Sequence, residues 1–179
     1  MKIVVMKFGG TSVGDVNKIK NVASIIKENI NNYKLVVVLS AMAGATNNLQ
    51  KLIDEIDYSS SLESDLVITS GEQITVGLLS MLLNKSGIKS ISLLGWQVPI
   101  ITDGFHEKAK ILNINKENLK NYFKSHDVVV LAGFQGVNKE GRITSLGRGG
   151  SDTTAVAIAA SLNAERCDIY TDVDGVYSS

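Results

Sequence analysis

Apolar residues in this chain gather in short continuous runs. Residues 2–8 (KIVVMKF), 34–40 (KLVVVLS), 90–94 (SISLL), 128–133 (VVVLAG) and 168–171 (DIYT) are rich in β-branched side chains and lack reliable alternation. Strands covered on both faces read this way. Between the first two, Val16, Ile19, Ala23, Ile26 and Ile30 recur at spacings of three and four, so residues 15–31 are predicted to form a helix with one apolar stripe. Residues 47–58 repeat the pattern through Leu49, Leu52, Ile53 and Ile56, and residues 72–86 continue it until Gly87 supplies a C-terminal cap. Asn115 is placed to cap a further helix carrying Leu119, Tyr122 and Phe123.

This alternation predicts an α/β domain: a mainly parallel sheet with helices on both faces. Residues 95–114 (GWQVPIITDGFHEKAKILNI) break the rhythm with the only proline and a Thr-Asp-Gly turn, which suits a hairpin lying over the sheet. Trp96 and Phe105 there read as lid or packing residues. In open parallel sheets the ligand crevice lies beyond the carboxyl ends of the strands. The segments after four predicted strands, Gly9-Gly10-Thr11-Ser12, residues 41–46, Phe134-Gln135-Gly136 and residues 172–175, should therefore converge on one edge.

Composition narrows the partners. The chain has 179 residues, 44% hydrophobic and 20% charged, with zero formal net charge. It has no electrostatic case for nucleic acid or an anionic membrane. A single cysteine, Cys167, excludes an intramolecular disulfide and reads as a packing residue in a reducing compartment. No stretch reads as a signal peptide or as long and apolar enough to span a bilayer, so a cytoplasmic protein is expected.

Lys7 ends a predicted strand and is followed by two glycines and a Thr-Ser pair. Such a segment lets backbone amides approach a phosphate while the ammonium neutralises its charge. The spacing fits neither the P-loop nor the dinucleotide fingerprint, and an ordinary glycine turn beside a snorkelling lysine has the same pattern. Residues 144–160 (TSLGRGGSDTTAVAIAA) set Arg148 among glycines before a helix expected near Thr153. Ser151 or Asp152 would cap that helix, leaving amides and the Arg148 fork to meet a carboxylate or phosphate. A glycine-rich connector with a solvated arginine is the weaker reading, because Lys7, Arg148 and Asp152 should point into one crevice. Glu72 either favours its helix dipole or binds an ammonium group. The DVDG stretch at 172–175 lacks the later ligands of a calcium loop, and His106 and His126 read as surface residues. No metal site is expected.

In order along essentially the whole chain, KFGGTSVG (7–14), LSAMAGATN (39–47), SGE (70–72), GFQG (133–136), TSLGRGGSDTT (144–154) and YTDVDGVY (170–177) closely resemble the catalytic domain of aspartokinases. The first, fifth and sixth are the specific ones. Acetylglutamate, carbamate and uridylate kinases share the Lys-Gly-Gly logic but not these sequences. The resemblance implies a three-layer α/β/α sandwich of the amino-acid-kinase, carbamate-kinase-like fold. It also implies transfer of the γ-phosphoryl of ATP, with Mg2+, to the side-chain carboxylate of L-aspartate. The product would be 4-phospho-L-aspartate, for lysine, threonine and methionine synthesis. Carried over by motif, Lys7, Gly9, Gly10 and Ser12 would hold the nucleotide phosphates, and Thr171, Asp172 and Tyr177 would begin the nucleotide pocket. Thr46, Glu72, Phe134, Arg148, Gly149, Gly150 and Ser151 would bind aspartate, with Arg148 clamping a carboxylate and Glu72 facing the ammonium. Lys7 and Asp152 would be catalytic, Asp152 orienting the lysines around the reacting phosphoryl group.

Two mild departures are Ser145, where a threonine is common before Leu-Gly-Arg, and Lys110, where many relatives have arginine. The larger one is at Ser178-Ser179, where aspartokinases continue through Asp-Pro-Arg. Residues 1–179 are therefore expected to be an amino-acid-kinase domain lacking its C-terminal portion, a second catalytic lysine and the ACT regulatory domains. A sheet edge left unpaired there favours a homo-oligomer, with a dimer expected. Two function classes follow: a working aspartate kinase, or a catalytically silent binding or assembly fragment. A nicotinamide-dependent oxidoreductase suits the βαβ pattern but lacks its fingerprint.

Overall fold

The computed structural model describes residues 2–58 and 60–171. In chain order the first half comprises β1 (Ile3–Phe8), α1 (Val16–Asn29), β2 (Lys34–Leu39), α2 (Ala45–Glu55), α3 (Ser61–Ile68), α4 (Ser70–Lys85) and β3 (Ser90–Leu93). Then follow β4 (Ile100–Thr102), β5 (Ile111–Ile114), α5 (Lys116–Tyr122), β6 (Val128–Ala132), β7 (Gln135–Val137), β8 (Ile143–Ser145), α6 (Gly150–Leu162) and β9 (Arg166–Tyr170).

Five strands form a parallel sheet in the order β3-β6-β2-β1-β9. Its inner strands are covered on both sides, which is why their sequences are continuous rather than alternating. On one face α1 and α4 bring Ile19, Val22, Ile26, Val76, Leu79 and Leu83 onto Val4, Met6, Phe8, Val37 and Val130. On the other, α5 and α6 bring Leu119, Phe123, Ala155, Ile158 and Leu162 onto Val5, Val36, Val38, Val129 and Leu131. Each such buried aliphatic side chain contributes about 1.5–3 kcal/mol. The parallel sheet with helices on both faces expected from the pattern is thus present, and with it the three layers that the resemblance implied. Cys167 packs against the second of these clusters, and burial pushes its thiol pKa upward.

The hairpin expected at 95–114 forms as antiparallel β4 and β5. It does not merely lie over the main sheet. With β7 and β8 it builds a second, four-stranded sheet in the order β5-β4-β7-β8. Trp96 and Phe105 are 48% and 66% exposed, so the packing role among the two expected of them gives way to an exposed placement.

Residues 61–85 correct another expectation. By length and composition alone this run is apolar enough to cross a membrane. It is divided by a turn at Thr69, however, and Val76, Leu79 and Leu83 of α4 are spent on the sheet. The run reads as two helices, of which α4 packs into the core while α3 buries Asp65.

Candidate active site

The carboxyl ends of β1, β2 and β6 open into a cavity of about 890 Å³. Lys7, one residue from the end of β1, is 12% exposed at its side chain and places Nζ 2.7 Å from Oδ1 of Asp152. Parallel β1 aims that lysine, and the first turn of α6 aims the carboxylate. Gly10 follows on a turn closed by Ser12 N–H donating to Gly9 O at 3.0 Å. A Cβ at Gly10 would lie 2.9 Å from the Ala41 carbonyl, so only glycine lets these two strand-end loops meet.

The Ala41 loop forms the next wall. Its N–H donates to Oε1 of Glu72 at 3.1 Å, and a Cβ on Gly71 would strike the Ala41 side chain at 2.7 Å. Glu72 is 2% exposed and its Oε2 has no hydrogen-bond partner among the described residues. Burial raises its pKa to about 7, against the lowering effect of the backbone N–H groups of Glu72 and Ala41. Thr46, in the first turn of α2, also lines the cavity.

The remaining wall is the start of α6. The expectation that Ser151 or Asp152 caps this helix is corrected: α6 begins at Gly150, its cap is Gly149 at φ 73°, and no side chain caps it. The left-handed glycine starts the helix about three residues earlier than the spacing suggested, freeing Asp152 for Lys7. Ser151 packs against β6, where a Cβ on Gly133 would lie 2.8 Å from its Oγ. Phe134 itself adopts φ 68°, held by its N–H donating to Thr154 Oγ1 and its carbonyl accepting from Leu146 N–H. Arg148 is exposed and lines the cavity between Gly147 and Gly149.

Lys7, Gly10, Thr46, Glu72 and Phe134 thus share one cavity with Arg148, Gly149, Gly150, Ser151 and Asp152. Gly9 and Ser12 stand on the turn behind Lys7, and Thr171 follows β9 beside β1 at the same sheet edge, none of the three lining the cavity. Asp172 and Tyr177 lie outside the described residues.

One wall residue escaped the sequence reading. Asp65 of α3 is completely buried and accepts from Ser145 Oγ at 2.6 Å and from the Glu107 N–H. His106 Nδ1 lies 2.6 Å from its Oδ2. The expectation that His106 is a surface residue is therefore corrected, its side chain being 14% exposed; His126 is likewise half-buried. A lone carboxylate between Ser64 and Leu66 carries no signal of this in the sequence.

A model of the amino acid kinase family matches residues 2–179. The whole chain aligns with the aspartokinase of Rickettsia felis at 47% identity, covering 46% of that protein. It aligns with the aspartate kinase of Pseudomonas fluorescens at 51%, covering 44%. The chain thus spans less than half the length of these relatives. Among solved structures, E. coli aspartokinase III in complex with aspartate and ADP superposes with a TM-score of 0.83 at 27% identity, over 98% of this chain and 50% of that one. Carbamate kinase from Giardia lamblia shares the fold alone, with a TM-score of 0.69 at 14% identity over 96% of this chain and 71% of that one.

Proposed function

Because the chain belongs to the amino acid kinase family, we propose that its cavity is that of an aspartate kinase, taking the γ-phosphoryl of ATP, with Mg2+, to the side-chain carboxylate of L-aspartate. One observation carries this reading. Among the described residues, Lys7 and Arg148 are the cations of the cavity lining and share it with a buried carboxylate, Glu72, one of whose oxygens has no partner there. Two anions and one ammonium are what such a lining would receive. Whole-length similarity to aspartokinases supports the choice of amino acid.

The residues suit a polyphosphate, since the Lys7 ammonium lines the cavity together with Gly10. Lys7, Gly9, Gly10 and Ser12 would hold the phosphates, with Thr171, Asp172 and Tyr177 beginning the nucleotide pocket. Bound magnesium would spread phosphate charge. Among the described residues no group of three or more His, Cys, Asp or Glu could hold a metal ion, so on this reading it rides on the nucleotide.

The acceptor is already an ionised carboxylate, so no proton has to move. One of its oxygens forms a bond to the γ-phosphorus as the bond from that phosphorus to the bridging oxygen breaks, leaving 4-phospho-L-aspartate and ADP. The protein's part is to hold two anions together and to meet charge on the transferred oxygens. Lys7 does the latter, aimed by Asp152. Arg148 clamps the substrate carboxylate while Glu72 faces the ammonium. Thr46, Ser151, Gly149, Gly150 and the Phe134 segment shape the remainder. On this reading residues 1–179 are part of one amino-acid-kinase domain.

Trapping aspartyl phosphate with hydroxylamine tests it, using L-aspartate and magnesium ATP. The wild-type chain should form hydroxamate, and Lys7→Ala should form it roughly a hundredfold or more slowly. One second reading is a binding segment without turnover. Both ligands bound by a folded chain that yields no hydroxamate would select it.

A further inference from the structure

Asp65 has no part in the chemistry above, yet it stands where three segments meet. Ser145 Oγ–H donates to its Oδ1 at 2.6 Å, His106 Nδ1 approaches Oδ2 at 2.6 Å, and the Glu107 N–H reaches both oxygens at 3.1 and 3.2 Å. His106 and Glu107 belong to the loop between β4 and β5, and Ser145 ends β8. The residues directly after Ser145 carry Arg148.

That loop and the arginine segment are built on each other. Ala109 N–H donates to Ser145 O at 2.9 Å. Gly147, at φ 74°, lies so close that a Cβ there would come 3.2 Å from the Glu107 carbonyl. Glu107 itself holds φ 67°, a left-handed conformation that costs a non-glycine residue about 1 kcal/mol or more. Its N–H is fixed by Asp65 while its carbonyl is the floor under Gly147. A carboxylate with no exposure is tolerated only when its donors are all in place, so the placement of α3, the loop and the end of β8 is coupled through one side chain.

We propose that Asp65 is the positioning residue of the arginine segment: through Ser145, Glu107 and His106 it fixes where Arg148 meets the substrate carboxylate. This rests on the reading of Arg148 as the carboxylate clamp. A residue that only holds the fold together would weaken every element alike.

The test uses the full chain with His106→Gln and Ser145→Ala, since Asp65→Ala puts the fold itself at risk, and Ser145→Thr as the conservative control. Amide exchange is followed at Leu146 and Gly150, whose N–H groups are bonded to Phe134 O and Gly147 O, and at β1 and β2 for reference. Calorimetry follows L-aspartate and magnesium ATP. Losing one hydrogen bond to a buried charge should speed exchange at Leu146 and Gly150 roughly tenfold and weaken L-aspartate about tenfold. Magnesium ATP affinity and exchange in β1 and β2 should not change, and Ser145→Thr should restore both values. Unchanged exchange at Leu146 and Gly150, or an equal rise across β1 and β2, overturns the proposal. If the wild type binds no L-aspartate while local exchange still rises, the positioning role stands and the assignment of the ligand falls.

Discussion

Asp65 and Glu72 lie on consecutive helices, both buried against the same cavity, and their surroundings have opposite character. Asp65 meets a hydroxyl, an imidazole and a backbone amide. Glu72 has the Ala41 amide on one oxygen and no partner among the described residues on the other, and burial lifts its pKa to about 7. A buried carboxylate whose donors all come from the chain organises the chain. One left a donor short keeps a place for something that arrives.

The severest way to break this contrast is Asp65→Ala. It strands the buried Ser145 hydroxyl and the part-buried His106 and Glu107 groups and should cost about 3–5 kcal/mol, read as a lower midpoint in urea unfolding. A loss below about 1 kcal/mol would show that Asp65 is as expendable as an exposed ion pair.

Glu72 should respond to pH instead. Below about pH 4.5, its ordinary value, folded and unfolded chains both hold the proton and the group adds nothing to the balance. As pH rises toward 7 the unfolded chain releases its proton first, so the folded state is progressively disfavoured, by on the order of 3 kcal/mol once both have ionised. Glu72→Gln should remove that slope and gain on the wild type between about pH 5 and 8, measured by urea unfolding at stepped pH. Parallel pH profiles would erase the distinction between the two carboxylates. An arriving ammonium should pull the Glu72 pKa down, so L-aspartate binding near pH 6.5 should release a proton, seen as a buffer-dependent heat.

The mildest case concerns another carboxylate of the cavity, Asp152, whose helix is capped by left-handed Gly149. Open space surrounds the missing Cβ, so Gly149→Ala should cost only backbone strain, about 1 kcal/mol in thermal or urea unfolding. A much larger loss would mean that the start of α6, rather than burial, governs this wall.

Much of the scaffold was legible because the covered strands are unbroken apolar runs and α1 buries Ile19 and Ile26 of its expected stripe, Val16 being exposed, with Asp15 as its cap accepting from Lys18 N–H. Asn115 caps α5 in the same way. The misses have physical causes. In α3 the buried position is Asp65 while Leu66 and Val67 are exposed, so apolar periodicity inverts there and the helix goes unseen. β7 and β8 are three residues each, too short for a period to register. β9 starts at Arg166 rather than Asp168 because, as a neighbour of β1 alone among the described strands, it tolerates an exposed arginine. In the cavity, glycine and charge patterns placed Lys7, Arg148 and Asp152 together. The sequence held no sign that Gly149 rather than Ser151 or Asp152 starts α6, since a left-handed cap is a backbone event.

The strand order also sets a timetable. β1 pairs with β2, the next strand made, and with β9, the last described, and Lys7 finds Asp152 only when α6 exists. At roughly 5–20 residues per second of synthesis, the first strand waits on the order of ten seconds for its second neighbour. The nascent chain carries an unmatched lysine and an open strand edge through most of the synthesis of these residues, and the cavity comes into being only as their translation closes.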